Sequence, residues 1–434
     1  MTNSAPLDDI RRKRFALVRS GRWNEADRLA GNAVALGPGE LEPGTLAYLP
    51  GSPRNGRWSR GVRALSFRAV QAANLGAGRE EAVDAALRAL TAVGTRDSGT
   101  FWQALMVLTY ADEVAAAHRI WASKAGRGDV HDLLGGRIML LRGDPRAAVR
   151  LLDGALGRGV HARLRAVAVA WLVLALTEAG EPDRARAVLE SERLAGVLAE
   201  HPDSAELYFA RGRLLLAEGQ GAGALDEFLE CGRQLASWGV VNPAVLPWRS
   251  SAALAAFDAG DLVLARICAD KDLVAARRWG APRGIGLGLH ACALARGDDV
   301  LLEEAIAYLG RASTADEALR ARHDLAQLLL GRGEVERARK HTRRLREAAS
   351  DLCPQWIDAA NVLASRLLRN DGESALSRQE RRIALLARAG KSNREIAAEL
   401  CLTLRTVEFH LTAVYRKMGV AGRPGLRRAF VPTA

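Results

Sequence analysis

"LLRGDPRAAVRLL" (Leu140–Leu152) reads as the end of one helix, a corner and the start of another. Gly143 can end the first helix in a left-handed conformation, and Asp144 and Pro145 suit the first turn of the next. Ala148, five residues after the glycine, is small enough to let two helices cross closely. The phrase returns as "LTEAGEPDRARAVL" (Gly180, Ala185), "LAEGQGAGALDEFL" (Gly219, Ala224), "FDAGDLVLARICA" (Gly260, Ala265) and "LLGRGEVERARKH" (Gly333, Ala338), with a further copy, "LVRSGRWNEADRLA" (Gly21, Ala26), near the N-terminus. Any Ala-rich helical pair can show the phrase once. Six copies in phase specify a repeat.

Turns at Gly143, Gly180, Gly219, Gly260, Gly297 and Gly333 follow one another at intervals of 37, 39, 41, 37 and 36 residues. These intervals resemble tetratricopeptide-type helical hairpins, slightly longer than the usual ~34 residues. The resemblance covers roughly residues 10 to 370 and is interrupted by a Gly/Pro-rich segment, Gly37 to Ser59, read as a loop. It implies a superhelical solenoid with a concave groove. Composition agrees, since nearly half the residues are hydrophobic but only 5% are aromatic, the rest of the apolar content being Ala, Leu and Val among Arg and Glu.

Charge divides the chain differently. From Ser374 onward there are twelve Arg/Lys against four Glu, so this segment carries eight of the chain's twelve surplus positive charges. A basic focus of that kind implies a polyanion partner, nucleic acid before membrane. Five cysteines without a CxxC pair and histidines never at ligand distance from them imply reduced, structural thiols and no metal. The longest apolar run, Ala166 to Leu176, is too short to span a bilayer. A cytoplasmic location is expected.

Within the basic segment, "LLARAGKSNREIAAEL" (Leu385–Leu400) contains Gly390-Lys391-Ser392, reminiscent of a phosphate-binding loop. Such a loop needs a glycine at the position of Leu385 and a preceding strand, whereas "LSRQERRIALLARAG" has helical periodicity. Capping explains these residues better. Ser377 with Glu380 and Ser392 with Glu395 each read as a capping box, starting helices at about 378 to 389 and 393 to 400. Thr403 caps a third, ending at Met418 before Gly419. Short helix, tight turn and longer helix form a helix-turn-helix. On the third helix Leu404, Val407, Leu411, Val414 and Met418 share one face, predicted to pack on Ile396 and Leu400. Opposite lie Arg405, Phe409, Thr412 and Arg416, with Glu408 at the flank.

"LSRQERRIALLARAGKSNREIAAELCLTLRTVEFHLTAVYRKMGV" resembles the DNA-binding domain of the LuxR family in its Leu-Ser opening, its Gly-x-Ser-Asn-x-Glu-Ile-Ala centre, its Thr-Val-x-x-His signature and its Lys-x-Gly-Val close. The match covers about residues 375 to 430. Helical repeats ahead of it resemble the C-terminal half of large MalT-like regulators, without their N-terminal ATPase. The resemblance implies base contacts by the residues after Thr-Val, here Glu408, Phe409 and Thr412, joined by Arg405 to guanine or phosphate. Phosphate contacts are expected from Ser392, Asn393, Arg394, Thr403, Thr406, His410 and Lys417, and Arg416, on the outward face with Arg405, Phe409 and Thr412, is a further DNA-binding candidate. In the family a fourth helix helps dimerisation. Here "VAGRPGLRRAF" places Gly425 in it, at a cost of ~1 kcal/mol.

Together these readings predict an all-α chain: a tetratricopeptide-like solenoid over residues 1–370, followed by a four-helix LuxR-type domain over 371–434. The expected function is sequence-specific transcription regulation without an enzymatic site, cofactor or metal. Expected partners are double-stranded DNA, a protein or small-molecule effector in the groove, RNA polymerase and a second copy of the chain, and no membrane. The alternative is an interaction scaffold whose basic tail docks on another protein.

Overall fold

A computed structural model describes residues 62–93, 98–124, 128–160, 162–191, 204–312, 315–349, 354–374 and 376–429. The copy at Gly21 and the loop predicted at 37–59 lie outside them. Every regular element among the described residues is a helix. The first sixteen helices make eight consecutive pairs: α1 (Val62–Leu75) with α2 (Arg79–Val93), α3 (Ser98–Tyr110) with α4 (Val114–Ser123), α5 (Asp129–Leu141) with α6 (Pro145–Gly157), and α7 (Ala162–Glu178) with α8 (Pro182–Ser191). They continue as α9 (Ser204–Ala217) with α10 (Gly221–Ser237), α11 (Trp248–Asp258) with α12 (Leu262–Trp279), α13 (Pro282–Arg296) with α14 (Asp299–Leu309), and α15 (Ala315–Gly331) with α16 (Val335–Ala348). A longer helix, α17 (Pro354–Ser374), follows.

The quoted phrase folds as its chemistry requires. Gly143 has φ of 74°, and the glycines at 180, 219, 260, 297 and 333 share the left-handed conformation. Asp144 accepts a hydrogen bond from the Ala147 amide at 2.9 Å, capping α6. Ala148, Ala185, Ala224, Ala265 and Ala338 are all buried. Glycines tighten crossings within and between hairpins, since a Cβ at Gly212 would sit 2.6 Å from the Phe228 ring and one at Gly232 2.6 Å from Trp248. The α3–α4 corner follows the rule with a different residue. Asp112 takes the left-handed position at φ 61°, and Ala117, five residues on, is fully buried.

Contacts divide the chain into two compact units, one reaching Asp324 and including residues 349–354, the other formed by Leu325–Ala348 and Gln355–Ala434. Within the first unit, bonds join hairpins far apart in sequence. Asn242 Nδ2 donates to the Ala73 carbonyl at 2.7 Å, Trp279 Nε1 to the Tyr110 carbonyl at 2.7 Å, and the Arg283 amide to Asp112 Oδ2 at 2.5 Å. A simple solenoid joins each repeat only to its neighbours. Here the array curls until hairpins 169 residues apart meet.

Its core contains a buried acid. Asp272 on α12 is 1% exposed, and no hydrogen bond of good geometry reaches its carboxyl oxygens, although the hydroxyl and amide of Ser250 lie beside them. Burial pushes its carboxyl from 3.8 up to about 7, while Arg249 and then Ser250 pull the other way. A carboxyl protonated in the fold and ionised in the unfolded chain favours folding most below pH 3.8, and the benefit is lost as pH rises to about 7. Asp272→Asn is therefore expected to stabilise the protein at pH 8 by on the order of 3 kcal/mol relative to its effect at pH 4. Urea melts at the two pH values measure this, and a pH-independent difference would refute it.

Candidate nucleic-acid interface

The C-terminal domain is built from α18 (Arg378–Arg388), α19 (Asn393–Glu399), α20 (Leu404–Lys417) and α21 (Gly422–Ala429). Both capping boxes form. The Glu380 amide donates to Ser377 Oγ at 3.2 Å and the Ser377 amide to Glu380 Oε2 at 2.7 Å; for Ser392 and Glu395 the distances are 3.3 and 2.6 Å. Thr403 Oγ1 accepts from the Thr406 amide at 3.1 Å and lies 2.7 Å from the Thr406 hydroxyl. Gly390 and Gly419 end α18 and α20 with φ of 93° and 63°. Cys401, in the turn between α19 and α20, adopts φ 53°, a left-handed conformation that side-chain-bearing residues seldom take.

One apolar core holds the four helices. Leu376, Ile383, Ile396, Val407, Leu411, Val414, Met418 and Leu426 are buried in it, and Leu400 packs at its margin. Leu404 departs from expectation, remaining 40% exposed. It is the first residue of α20 and sits ~50° from the centre of the apolar stripe, at the 100° of turn per helical residue, so its side chain passes the end of the core. The fourth helix forms despite Gly425, because burial of Leu426 opposes the glycine's conformational cost.

The segment resembling a phosphate loop is an interhelical corner. A helix precedes it, Ser392 caps α19, and Lys391 Nζ is hydrogen-bonded to Glu399. Two further bonds orient this corner: Arg423 donates to the Lys391 carbonyl and to Asn393 Oδ1. Arg423 is a functional candidate that sequence reasoning missed, because nothing in "VAGRPGLRRAF" marks one arginine as reaching back some 30 residues.

On the outward side of α20, Arg405, Glu408, Phe409, Thr412 and Arg416 are exposed. Phe409 is 72% exposed, with its ring edge-on to His410 at 5.8 Å between centroids. An aromatic ring this exposed loses the favourable free energy of burial, on the order of 2 kcal/mol, until something covers it. Ser392, Arg394 and Thr403 are exposed at the corner between helices, while Asn393, Thr406 and His410 are half-buried. Thr412 spends its hydroxyl proton on the Glu408 carbonyl at 2.9 Å, leaving its oxygen as an acceptor. Lys417 is engaged inside the domain, donating to both Glu380 oxygens at 2.7 and 2.9 Å. These bonds from Lys417, aided by the Ser377 amide, hold the Glu380 carboxyl below the usual range.

A short helix, a turn and a longer helix whose outer face is basic and aromatic define a helix-turn-helix DNA-binding domain. Residues 374–429 match the model of the bacterial regulatory proteins of the luxR family, so this part of the chain is a LuxR-family domain. Over 69 residues the chain is 39% identical to the transcriptional regulatory protein LiaR of Bacillus subtilis (strain 168). That match takes in 15% of this chain and 32% of LiaR, so the chain spans about a third of the length of that curated relative. Among solved structures, a Rap protein complexed with competence and sporulation factor aligns with 82% of this chain and 100% of its own, with a TM-score of 0.54 and 13% sequence identity. The latter is a likeness of fold, the helical-hairpin array. No helix among the described residues is long and apolar enough to cross a membrane.

Proposed function

We propose that this chain is a cytoplasmic, sequence-specific transcription regulator whose helical repeats receive the signal and whose C-terminal domain reads DNA. The outward face of α20 carries the reading, because Phe409 is exposed beside Arg405 and Thr412 on the one face that the domain core leaves free. In the major groove Arg405 would take guanine or phosphate, Phe409 a thymine methyl, and Glu408 a cytosine amine. Ser392, Asn393, Arg394, Thr403, Thr406, His410, Arg416 and Lys417 would hold the backbone and set register. Since the Asn393 oxygen is taken by Arg423, its amide nitrogen is what it offers to phosphate.

Support for the regulatory half comes from the array. It is far larger than a DNA-binding unit needs, and stacked hairpins present surfaces suited to partners. The Rap protein of like fold is itself complexed with a factor. The effector or partner bound by the array shifts the chain between monomeric and self-associated forms, and its influence on DNA is limited to its differential affinity for them. A homodimer presents two reading helices, and RNA polymerase is the further partner at a promoter. The protein acts without catalysis.

Genome-wide footprinting followed by titration of the full chain tests this reading. A regulator is expected to bind its preferred site about 10³-fold or more tightly than random DNA at moderate salt. Sequence-blind binding would favour the scaffold instead. For the sensing half, residues 371–434 contain the whole apolar core of the domain, so the excised tail is expected to bind DNA without responding to cell extract, while the full chain responds. Identical behaviour of the two leaves the array as a static dimerisation scaffold.

A further inference from the structure

The curled array of the first unit surrounds a narrow well, open to solvent, with about 50 Å³ of room for water-sized molecules. Six helices line it, α5, α7, α9, α11, α13 and α15, the first member of each of six successive hairpins. Its walls carry Leu140, Leu174, Phe209 and Leu254 together with a concentration of charge unusual for a helical core.

The charges are not all neutralised by one another. Arg283 is held by Glu317, its Nε donating at 2.9 Å and its Nη2 at 2.5 Å. His290 is paired with Asp324 at 2.8 Å. Arg137 stands differently: it is only 6% exposed, its Nε has no hydrogen-bonding partner, and its guanidinium lies 5.7 Å from the centre of the Trp171 ring. Among the described residues Arg213 on α9 makes no hydrogen bond or ion pair; desolvation and the nearby Arg320 charge depress its pKa, against the pull of Glu178, Asp316 and Glu317. A guanidinium offers five donors in a planar fork, and a buried one without an acceptor is costly. The well therefore contains two arginines awaiting an acceptor.

The remaining acids limit what that acceptor can be. Glu178 and Asp316 line the same space with Glu317, so the four arginines of the well exceed its three acids by one when Glu178 is ionised. One negative charge restores balance; a second would face three carboxylates. We propose that the well binds a ligand through a single carboxylate, received by the Arg213 and Arg137 guanidiniums, with the ligand's apolar part against Leu174, Phe209 and Leu254. The carboxylate belongs either to a small organic acid or to the C-terminus of a short peptide. Phosphate esters, with nearly two charges, are disfavoured by the acids. This site deepens the reading of the array as the signal-receiving part of a regulator.

The Glu178 carboxyl reinforces the choice. Burial, then Asp316, raise it from 4.5 to about 7, so it is partly protonated near neutrality, and an arriving carboxylate would drive it further towards the protonated form. Binding at pH 7 should take up protons, seen as heats that change with the ionisation enthalpy of the buffer.

The test uses the full chain and three sets of probes: benzoate and octanoate as small acids, a pool of N-acetylated pentapeptides with free C-termini and the same pool amidated, and inorganic phosphate. Melting temperature and calorimetry are the readouts. A stabilising response to benzoate, octanoate or the free-acid pool, absent with the amidated pool and with phosphate, is expected. The responding set distinguishes an organic acid from a peptide terminus. Arg213→Met should weaken that binding about 10- to 100-fold, as expected for loss of charge-assisted bonds, and Arg213→Lys should recover part of it. A helical circular-dichroism spectrum and a cooperative melt like those of the unsubstituted chain show that the array of Arg213→Met is folded. No response to any carboxylate, equal responses to acid and amide, or undiminished binding by folded Arg213→Met would overturn the proposal. Carboxylate binding that leaves DNA affinity and self-association untouched would uphold the site and overturn the regulatory reading on which it rests.

Discussion

Phe409→Ala and Arg405→Ala are each expected to weaken binding to the preferred DNA site by roughly 1 to 3 kcal/mol, about 5- to 150-fold, with much smaller losses on random DNA. Phe409 carries this expectation because, at 72% exposure, it contributes nothing to the domain core and its removal leaves Val407, Leu411 and Val414 in place. Loss of affinity therefore cannot be traced to unfolding. Arg394→Ala provides the contrast: a residue that touches only phosphate should weaken all sequences alike and reduce the slope of log affinity against log salt by about 1. Fluorescence anisotropy on specific and random duplexes at several salt concentrations separates the two patterns. Equal losses on both duplexes for Phe409→Ala and Arg405→Ala would demote these residues to positioning roles.

The largest effect on stability is expected at Trp171. Its ring is fully buried, stacked on Trp102 with 5.4 Å between centroids, and its Nε1 donates to Glu206 at 3.2 Å. Trp171→Ala removes a large buried side chain that cannot be replaced by collapse of rigid neighbouring helices, at about 3 to 5 kcal/mol. It also takes one bond from the buried Glu206 and the ring from beneath Arg137, which adds to the loss. A fall in melting temperature of roughly 10 °C follows at the usual 2–4 °C per kcal/mol for units of this size. Trp171→Phe keeps an aromatic partner for Trp102 and should lose less. A cost below about 1 kcal/mol for Trp171→Ala would mean that the inner helices tolerate a cavity the packing rules forbid.

The elements governed by neighbours in sequence were legible as sequence. A capping box lies within four residues, and a glycine corner with its alanine within six, so Ser377 with Glu380, Ser392 with Glu395, and Gly143 with Ala148 announce helix ends and crossings unaided. The outward face of α20 could be read in the same way, since a helical repeat sorts Val407, Leu411 and Val414 from Arg405, Phe409 and Thr412. Where the rule has an alternative solution, reading failed. The α3–α4 corner escapes the glycine rule because Asp112 takes the left-handed position, stabilised by the Arg283 amide from 171 residues away. Periodicity places Leu404 with the core residues but does not say where a core ends.

Only the tertiary structure could decide that the array curls far enough for Asn242 to meet Ala73 and Trp279 to meet Tyr110. Curvature accumulates from small rotations at every hairpin, and no local residue encodes their sum. The charged well has the same origin. Arg137, Glu178, Arg213 and Arg283 come from four hairpins, each an unremarkable charge on its own helix. A charge on a helix is ordinarily solvated; closure of the array removes the water, and with it the reason those side chains could be read as surface.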